Sequence, residues 1–167
     1  MNYNFQTPEI VADYMVTLIP KKCRTILEPT PGKGNLVNAL EKSDRPFEIT
    51  ALANFWDLDD EFYDCVLMNP PFNKDAFFDH SGKPAGYNMP CSFIIDTCMK
   101  RTDNIIALLP WSHITNSVLR VKQLMNYGLQ TVITLPRKTF PGSRVQTCIV
   151  QLKKGYPEKT EFKYFDW

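Results

Sequence analysis

A short apolar segment that runs into a glycine turn and then into an amphipathic segment constrains the fold of this chain most strongly. The apolar segment is "RTILEP" (24–29), the turn is "TPGKGN" (30–35), and "LVNALEKS" (36–43) carries apolar side chains at helical spacing. A strand that passes through a tight glycine turn into a helix is the opening unit of a doubly wound α/β sheet. We therefore expect a sheet of mainly parallel strands with helices on its faces.

The rest of the chain continues this alternation. Further strands are predicted at 47–53, 63–69 and 104–110, and further helices at 9–19, 91–100 and 117–128. The segments 129–136 and 144–154 flank a turn containing "FPGS", which predicts an antiparallel hairpin, and 161–167 is expected to add an edge strand. Thr7 is expected to cap the first helix, with Pro8 at its first position. The predicted fold class is α/β, a three-layer sandwich around a mostly parallel sheet with a C-terminal antiparallel hairpin.

The composition is that of one globular domain. The 167 residues are 44% hydrophobic and 22% charged, and no repeat or linker divides positions 1–167. The apolar runs are too short to span a membrane and the N-terminus does not resemble a signal peptide, so a cytoplasmic protein without a membrane partner is expected. Five scattered cysteines and only two histidines favour buried free thiols over a metal site. The formal net charge of +1 does not indicate a partner.

The glycine turn is a candidate ligand loop, and a plain turn between a strand and a helix is the alternative. Gly32 and Gly34 allow the backbone to turn tightly and to approach a ligand next to a helix N-terminus. The spacing matches neither a P-loop nor the dinucleotide-binding pattern of three glycines. Glu28, at the end of the strand, would repel a phosphate, so a ligand with a cationic amine is favoured over a nucleotide phosphate.

The stretch "CVLMNPPFNK" (65–74) ends a predicted strand with an unusual set of side chains. Asn69 is expected at the carboxyl end of the strand, where open α/β sheets bind ligands, and its amide oxygen is an acceptor. Pro70 and Pro71 have no N–H, so they present carbonyl oxygens only, and Phe72 adds a flat ring. Two acceptors beside an aromatic ring suit the exocyclic amino group of a nucleobase.

These segments resemble motifs of the S-adenosylmethionine-dependent adenine-N6 DNA methyltransferases. "NPPF" (69–72) is similar to their catalytic motif [DNS]-P-P-[YFW], "EPTPGKGN" (28–35) to their cofactor loop, and "FQTP" (5–8) to the segment that precedes it. This motif order is the gamma arrangement. The stretch 133–155 resembles the closing hairpin of modification subunits of type I restriction systems, so the resemblance covers nearly the whole chain. It implies a Rossmann-like methyltransferase fold that binds S-adenosylmethionine.

The resemblance implies a role for each matched position. The residues that would hold the methionine end of S-adenosylmethionine are Phe5, Thr7, Pro8, Glu28, Pro29, Gly32 and Gly34, with Glu28 meeting the methionine amine. The catalytic positions would be Asn69, Pro70, Pro71 and Phe72. Asn69 and the Pro70 carbonyl would accept hydrogen bonds from the target amino group, and Phe72 would stack on an adenine flipped out of the DNA.

The middle of the chain is shorter than the family pattern. Only 34 residues separate Gly34 from Asn69, where the family usually has a strand ending in a ribose-binding acid, a helix and a further strand. Here one clear strand precedes the catalytic one, and it ends at Ala53-Asn54 rather than at an acid. Asp57 is the candidate contact for the adenine end of the cofactor, with Phe55 or Trp56 as the packing ring. A solvated acidic loop is the alternative interpretation of this segment.

The chain has no room for a separate target-recognition domain. Two loops are therefore expected to meet the DNA, or a partner protein to supply the specificity. The first loop, 73–90, includes Lys74 and Lys83, and could cover the base. The second, 136–144, is predicted to form a basic and aromatic patch that meets phosphates, and its residues are Arg137, Lys138, Phe140 and Arg144. A solvated hairpin tip is the alternative.

The leading hypothesis is a site-specific DNA-methyltransferase (adenine-specific) that uses no metal. A non-catalytic subunit with a degenerate methyltransferase fold is the main alternative, because the ribose carboxylate is missing. A glutamine-N5 protein methyltransferase is a second alternative, because those enzymes share an N-P-P motif. That motif usually continues with Tyr, so Phe72 and the hairpin stretch favour DNA.

Overall fold

The computed structural model of the protein describes residues 6–72, 77, 86–87 and 89–166. In this part of the chain the helices are α1 (Glu9–Thr17), α2 (Asn35–Glu41), α3 (Pro90–Cys98) and α4 (Val118–Tyr127). The strands are β1 (Thr25–Glu28), β2 (Glu48–Ala51), β3 (Cys65–Met68), β4 (Asn104–Pro110), β5 (Leu129–Thr134), β6 (Thr147–Lys153) and β7 (Glu161–Tyr164). Every helix and strand predicted from periodicity is present, with ends that differ by a few residues.

The described strands form one seven-stranded sheet in the order β2-β1-β3-β4-β6-β5-β7. β6 is antiparallel to both of its neighbours, β4 and β5, whereas the other paired strands run parallel. The mostly parallel sheet with an antiparallel β5–β6 pair is therefore confirmed. β6 lies between β4 and β5, and β7 adds to the outer side of β5 as a parallel edge strand.

Helices cover both faces of the sheet, which confirms the three-layer sandwich. One core contains Val11 and Met15 of α1 and Leu36 and Leu40 of α2. The core on the opposite face contains side chains of α3 together with Leu124 of α4. The expectation of buried free thiols is also confirmed, because all five cysteines are buried and unbridged. Among the described residues, no helix has the length and apolar character needed to cross a membrane.

The segment between α2 and β3 is short, as predicted. It contains β2 and one 3-10 turn, Phe55–Asp57, and all of its residues are described. β2 therefore forms an edge of the sheet and ends at Ala51, before the predicted end at position 53. No α-helix intervenes between β2 and β3.

The parallel strands end at the same side of the sheet, which we call the carboxyl edge. The register pairs Glu28 of β1 with Ala51 of β2, and Met68 of β3 with Ala107 of β4. The glycine turn after β1, Asn69 after β3 and the segment between β5 and β6 therefore all lie at the carboxyl edge. Open α/β sheets bind their ligands at this edge.

Candidate active site

Thr7 connects two motifs that are far apart in the sequence. Its backbone oxygen accepts a hydrogen bond from Nδ2 of Asn35, the first residue of α2, at 2.8 Å. Its hydroxyl oxygen accepts one from Nδ2 of Asn69 at 3.0 Å. Thr7 is 3% exposed. The N-terminal segment, the glycine turn and the NPPF motif therefore meet at one buried residue of the carboxyl edge.

The prediction that Thr7 caps α1 is wrong. The helix begins at Glu9, Pro8 precedes it, and no side chain caps it. The amide groups of Val11 and Ala12 instead donate to the Pro8 carbonyl, at 3.0 and 2.9 Å. Because the Thr7 hydroxyl bonds to Asn69, a tertiary contact has replaced the local capping bond.

The NPPF motif directly follows a strand whose four residues are all buried. The bond from Nδ2 to Thr7 orients the Asn69 carboxamide, so Oδ1 lies on the side away from Thr7. Pro70 is buried, Pro71 is partly buried, and Phe72 packs against the core on the α3/α4 face. The catalytic roles of these four residues stay predictions.

The glycine turn has a backbone conformation that favours glycine. Gly32 and Gly34 have φ angles of 55° and 83°, in the left-handed region that glycine tolerates best. The Gln6 side chain covers the turn: its Oε1 accepts a hydrogen bond from the Lys33 amide at 2.9 Å, and a Cβ on Gly32 would lie 3.0 Å from it. Sequence reasoning missed Gln6, although it lies inside the FQTP segment that pointed to this region.

Glu28 is a buried carboxyl group with one unsatisfied oxygen. It is 0% exposed, and its Oε1 accepts hydrogen bonds from the Thr30 amide at 2.9 Å and the Thr30 hydroxyl at 3.4 Å. Oε2 is buried and has no hydrogen-bond partner among the described residues. Burial raises the pKa of Glu28 to about 8. A buried acceptor of this kind fits an ammonium group, which would pair with the ionised carboxylate, so the residues present fit the amine of S-adenosylmethionine.

The segment after β2 carries the residues expected at the adenine end of the cofactor. Asp57 is exposed at the end of the 3-10 turn. Of the two candidate packing rings, Phe55 is 6% exposed and belongs to the core, whereas Trp56 is 51% exposed. The Trp56 ring stacks on Phe77, with centroids 5.5 Å apart and an interplanar angle of 27°. Trp56 is therefore the ring with surface available to a ligand, and the role of Asp57 stays a prediction.

The predicted basic and aromatic patch is basic only. Phe140 is 7% exposed and packs in the core on the α1/α2 face, so it does not lie on the surface between the cations. Arg137, Lys138 and Arg144 are exposed. Phe5, Lys74, Lys83 and most of the 73–90 loop lie outside the described residues.

Solved structures of methyltransferases share this fold at low sequence identity. A candidate class I S-adenosylmethionine-dependent methyltransferase from Listeria monocytogenes superposes with a TM-score of 0.72 at 18% identity, over 99% of this chain and 67% of that protein. The methyltransferase subunit of a type I restriction-modification system from Streptococcus thermophilus gives a TM-score of 0.72 at 21% identity, over 98% of this chain and 48% of the subunit. A modification subunit of a candidate type I restriction enzyme from Vibrio vulnificus gives 0.70 at 14% identity, over 98% and 47%.

This chain therefore spans about half the length of the two restriction-system subunits and about two thirds of the Listeria protein. No protein-family model matches the chain, and no curated protein sequence matches it significantly. The fold is the Rossmann-like methyltransferase fold.

Proposed function

We propose that this chain transfers a methyl group from S-adenosylmethionine to the exocyclic amine of adenine in DNA. The observation that carries the proposal is the Thr7 contact, which joins Asn69 of the NPPF motif to the first residue after the glycine turn. A site for a cationic ligand at Glu28 and a site for an amino group at Asn69 would then share one edge of the sheet. That arrangement suits transfer between a bound cofactor and a nucleobase.

The residues of the glycine turn would hold the cofactor. Glu28 would pair with its amine, and Gly32 and Gly34 would line its methionine portion, with open space beside Gly34. Trp56 would pack against its adenine. When bound, S-adenosylmethionine supplies an electrophilic methyl group carried on a sulfonium. The Gln6 side chain, which lies over Gly32, would help to exclude water from this end of the site.

The NPPF residues would bind the target base. The adenine amine is a poor nucleophile because its lone pair is delocalised into the ring. Two acceptors, Oδ1 of Asn69 and the Pro70 carbonyl, would hold the two amine protons and so direct the lone pair out of conjugation. Phe72 would stack on the base after it leaves the helix, at a cost of a few kcal/mol that is lowest for single-stranded or weakened pairs. Rigid proline geometry keeps the second acceptor in position.

The similar structures support the proposal at the level of fold and chemistry. Two of them are subunits of type I restriction systems, one a modification subunit and the other a methyltransferase subunit. Because these neighbours are subunits of restriction systems, we propose that a partner protein supplies sequence specificity. DNA is the proposed substrate, and no membrane or metal is part of the proposal.

Methyl transfer tests the proposal directly. We expect label from S-adenosylmethionine to appear in adenine-containing DNA, and Asn69→Ala to lower the rate by about a hundredfold or more, as loss of one directed hydrogen bond does in other enzymes. Asn69→Asp is the matched control: it keeps an acceptor, and the Thr7 hydroxyl can rotate to donate to it.

Three results would contradict the proposed function. Binding of S-adenosylmethionine with no transfer to any DNA would favour a non-catalytic subunit. Transfer to a glutamine-containing protein but not to DNA would favour protein methylation. Equal rates for Asn69→Ala and the wild-type protein would remove Asn69 from the catalytic machinery.

A further inference from the structure

The basic residues of this chain are distributed unevenly. Between Asp103 and Glu158 the sequence contains no acidic residue at all, and its basic residues there are Arg120, Lys122, Arg137, Lys138, Arg144, Lys153 and Lys154. The rest of the chain contains the other twelve basic residues and all eighteen acidic residues. The net charge of +1 is therefore the sum of a positive segment and a negative remainder.

The fold collects the positive segment in one half of the sheet. Positions 104–157 form β4, α4, β5 and β6, which are neighbours in the sheet or pack on it. Arg120 of this segment pairs with Asp96 at 2.6 Å, and Lys154 pairs with Asp103 at 3.6 Å. Arg137, Lys138 and Arg144 lie together on one connection, the β5–β6 loop (135–146).

The β5–β6 loop holds its cations at the carboxyl edge. Arg137, Lys138 and Arg144 are all exposed there, at the same edge as Asn69. β3 and β5 are separated by β4 and β6, so three strand spacings, about 14 Å in total, lie between the NPPF motif and this loop. The cations are therefore beside the candidate base site and not within it.

The loop is internally ordered, so the backbone positions that carry the three cations are fixed. The buried Phe140 ring anchors its middle. The Thr139 hydroxyl donates to the Pro136 carbonyl at 2.6 Å, and the Gln146 side chain donates to the Leu135 carbonyl at 2.6 Å. The Gln146 carbonyl in turn accepts from the Trp111 amide at 2.7 Å. An ordered loop loses less conformational entropy when its side chains bind a ligand.

We propose that the β5–β6 loop binds the phosphate backbone of DNA on one side of the target base, through Arg137, Lys138 and Arg144. This inference rests on the proposed function for its choice of polyanion. Two arginines and a lysine on an ordered loop match phosphates, because guanidinium groups bind them through paired hydrogen bonds. One strand carries a phosphate about every 3.4 Å along the helix axis, so a 14 Å separation corresponds to about four nucleotides.

The test compares two triple-alanine variants with equal loss of charge. The first replaces Arg137, Lys138 and Arg144. The matched control replaces Lys21, Lys22 and Lys153, which are also exposed but lie at the opposite edge of the sheet, where the parallel strands begin. Lys21 and Lys22 precede β1, and Lys153 at the end of β6 lies opposite Asn104, the first residue of β4. Equilibrium binding to labelled duplex and single-stranded DNA is measured without S-adenosylmethionine between about 50 and 200 mM NaCl. Melting temperatures confirm that both variants are folded.

We expect the loop variant to bind DNA about tenfold more weakly and equally so on unrelated sequences. Its plot of log affinity against log salt should be less steep by about 2 to 3, because each lost phosphate contact removes about 0.9 from the slope on duplex DNA and about 0.7 on single strands. The amino-edge control should keep the wild-type slope. Equal weakening in both variants, or an unchanged slope in the loop variant, overturns the proposal.

DNA length provides a second test. On oligonucleotides whose target adenine lies within about two nucleotides of both ends, the wild-type protein and the loop variant should bind alike. With about eight flanking nucleotides the difference should return in full. A difference that does not depend on length overturns the assignment of a remote phosphate contact.

Methyl transfer, measured separately, distinguishes this inference from the proposed function. A wild-type protein that methylates DNA, with a loop variant that binds DNA normally, refutes the loop assignment alone. A wild-type protein that binds DNA through the loop but transfers no methyl group refutes the proposed function alone.

Discussion

The hydroxyl of Thr7 accepts a hydrogen bond from the Asn69 amide nitrogen, and at the scale of single residues this bond determines how the candidate site is built. The sequence predicts both residues as parts of a site: Thr7 because it lies in the FQTP segment, and Asn69 because it begins the NPPF motif at the end of a strand. It does not predict the bond, because local rules assign the hydroxyl to a helix cap. A partner 62 positions away is set by the sheet and not by the neighbouring residues.

Replacing Thr7 by valine tests this bond. Valine keeps the shape of the side chain and removes the hydroxyl, so the Asn69 amide loses the acceptor that orients it. We expect the turnover rate for methyl transfer to fall by about tenfold or more, with the affinity for S-adenosylmethionine nearly unchanged. Thr7→Ser keeps the hydroxyl and should restore most of the rate. A loss of the same size in Thr7→Ser would show that packing, and not the hydrogen bond, is responsible.

Glu28 makes the stability of the ligand-free protein depend on pH. Its pKa is about 8 in the folded protein, raised by burial from an ordinary value of 4.5. Stability linked to the protonated carboxyl group is fully present below about pH 4.5 and is lost as the pH rises through about 8. By pH 7 we expect this to lower the free energy of unfolding by roughly 3 kcal/mol, as measured by urea unfolding across that pH range.

Glu28→Gln isolates this contribution. The amide cannot ionise, so the decline in stability between about pH 4.5 and 8 should be absent from the variant. The variant should also bind S-adenosylmethionine more weakly, because it has no charge to pair with the amine. Parallel pH profiles for the two proteins would show that another group titrates in this range.

Helices and strands were the most predictable part of the molecule. Apolar spacing located each of them, because burial on a sheet face or a helix face requires that spacing. β2 ends earlier than predicted because the chain leaves the sheet, and the Asn54 side chain then accepts from the Trp56 amide to begin a 3-10 turn. The predicted surface position of Phe140 is wrong, because a loop has no periodicity from which the burial of its side chains could be predicted.

The junction between α4 and β5 depends on Gly128. Its φ is 133°, and a Cβ there would lie 1.9 Å from the backbone oxygen of Lys153. We expect Gly128→Ala to lower the free energy of unfolding by about 3 kcal/mol or more, from the clash and the strained backbone together. Gly34→Ala is the control, because its Cβ would meet nothing within 4 Å and only its φ of 83° is unfavourable.

Gly34→Ala should therefore cost about 1 to 2 kcal/mol. Urea unfolding of both variants provides the comparison. Equal losses at the two positions would mean that the strand next to Gly128 can move away at little cost.

At the scale of the whole molecule, the distribution of charge and the order of the strands in the sheet are the two properties that the sequence predicts least well. The net charge of +1 is uninformative because it adds the charges of all residues, whereas the fold brings the basic residues of one segment together on one part of the surface. The alternation of strands and helices predicts the class of sheet, and the turn containing "FPGS" predicts the antiparallel β5–β6 pair. It did not predict that β6 also pairs with β4, since pairing between strands is decided by which buried faces fit together.

The position of β6 has a consequence for the order in which the sheet can be completed. β5 pairs only with β6 and β7 among the described strands, and both follow it in the chain. During synthesis the apolar β5 is therefore made before any strand that it will pair with, while β4 still has an open edge. Such unpaired strands are the segments most exposed to aggregation in a growing chain. The sheet is completed when β6 inserts between β4 and β5, two strands that have already been synthesised.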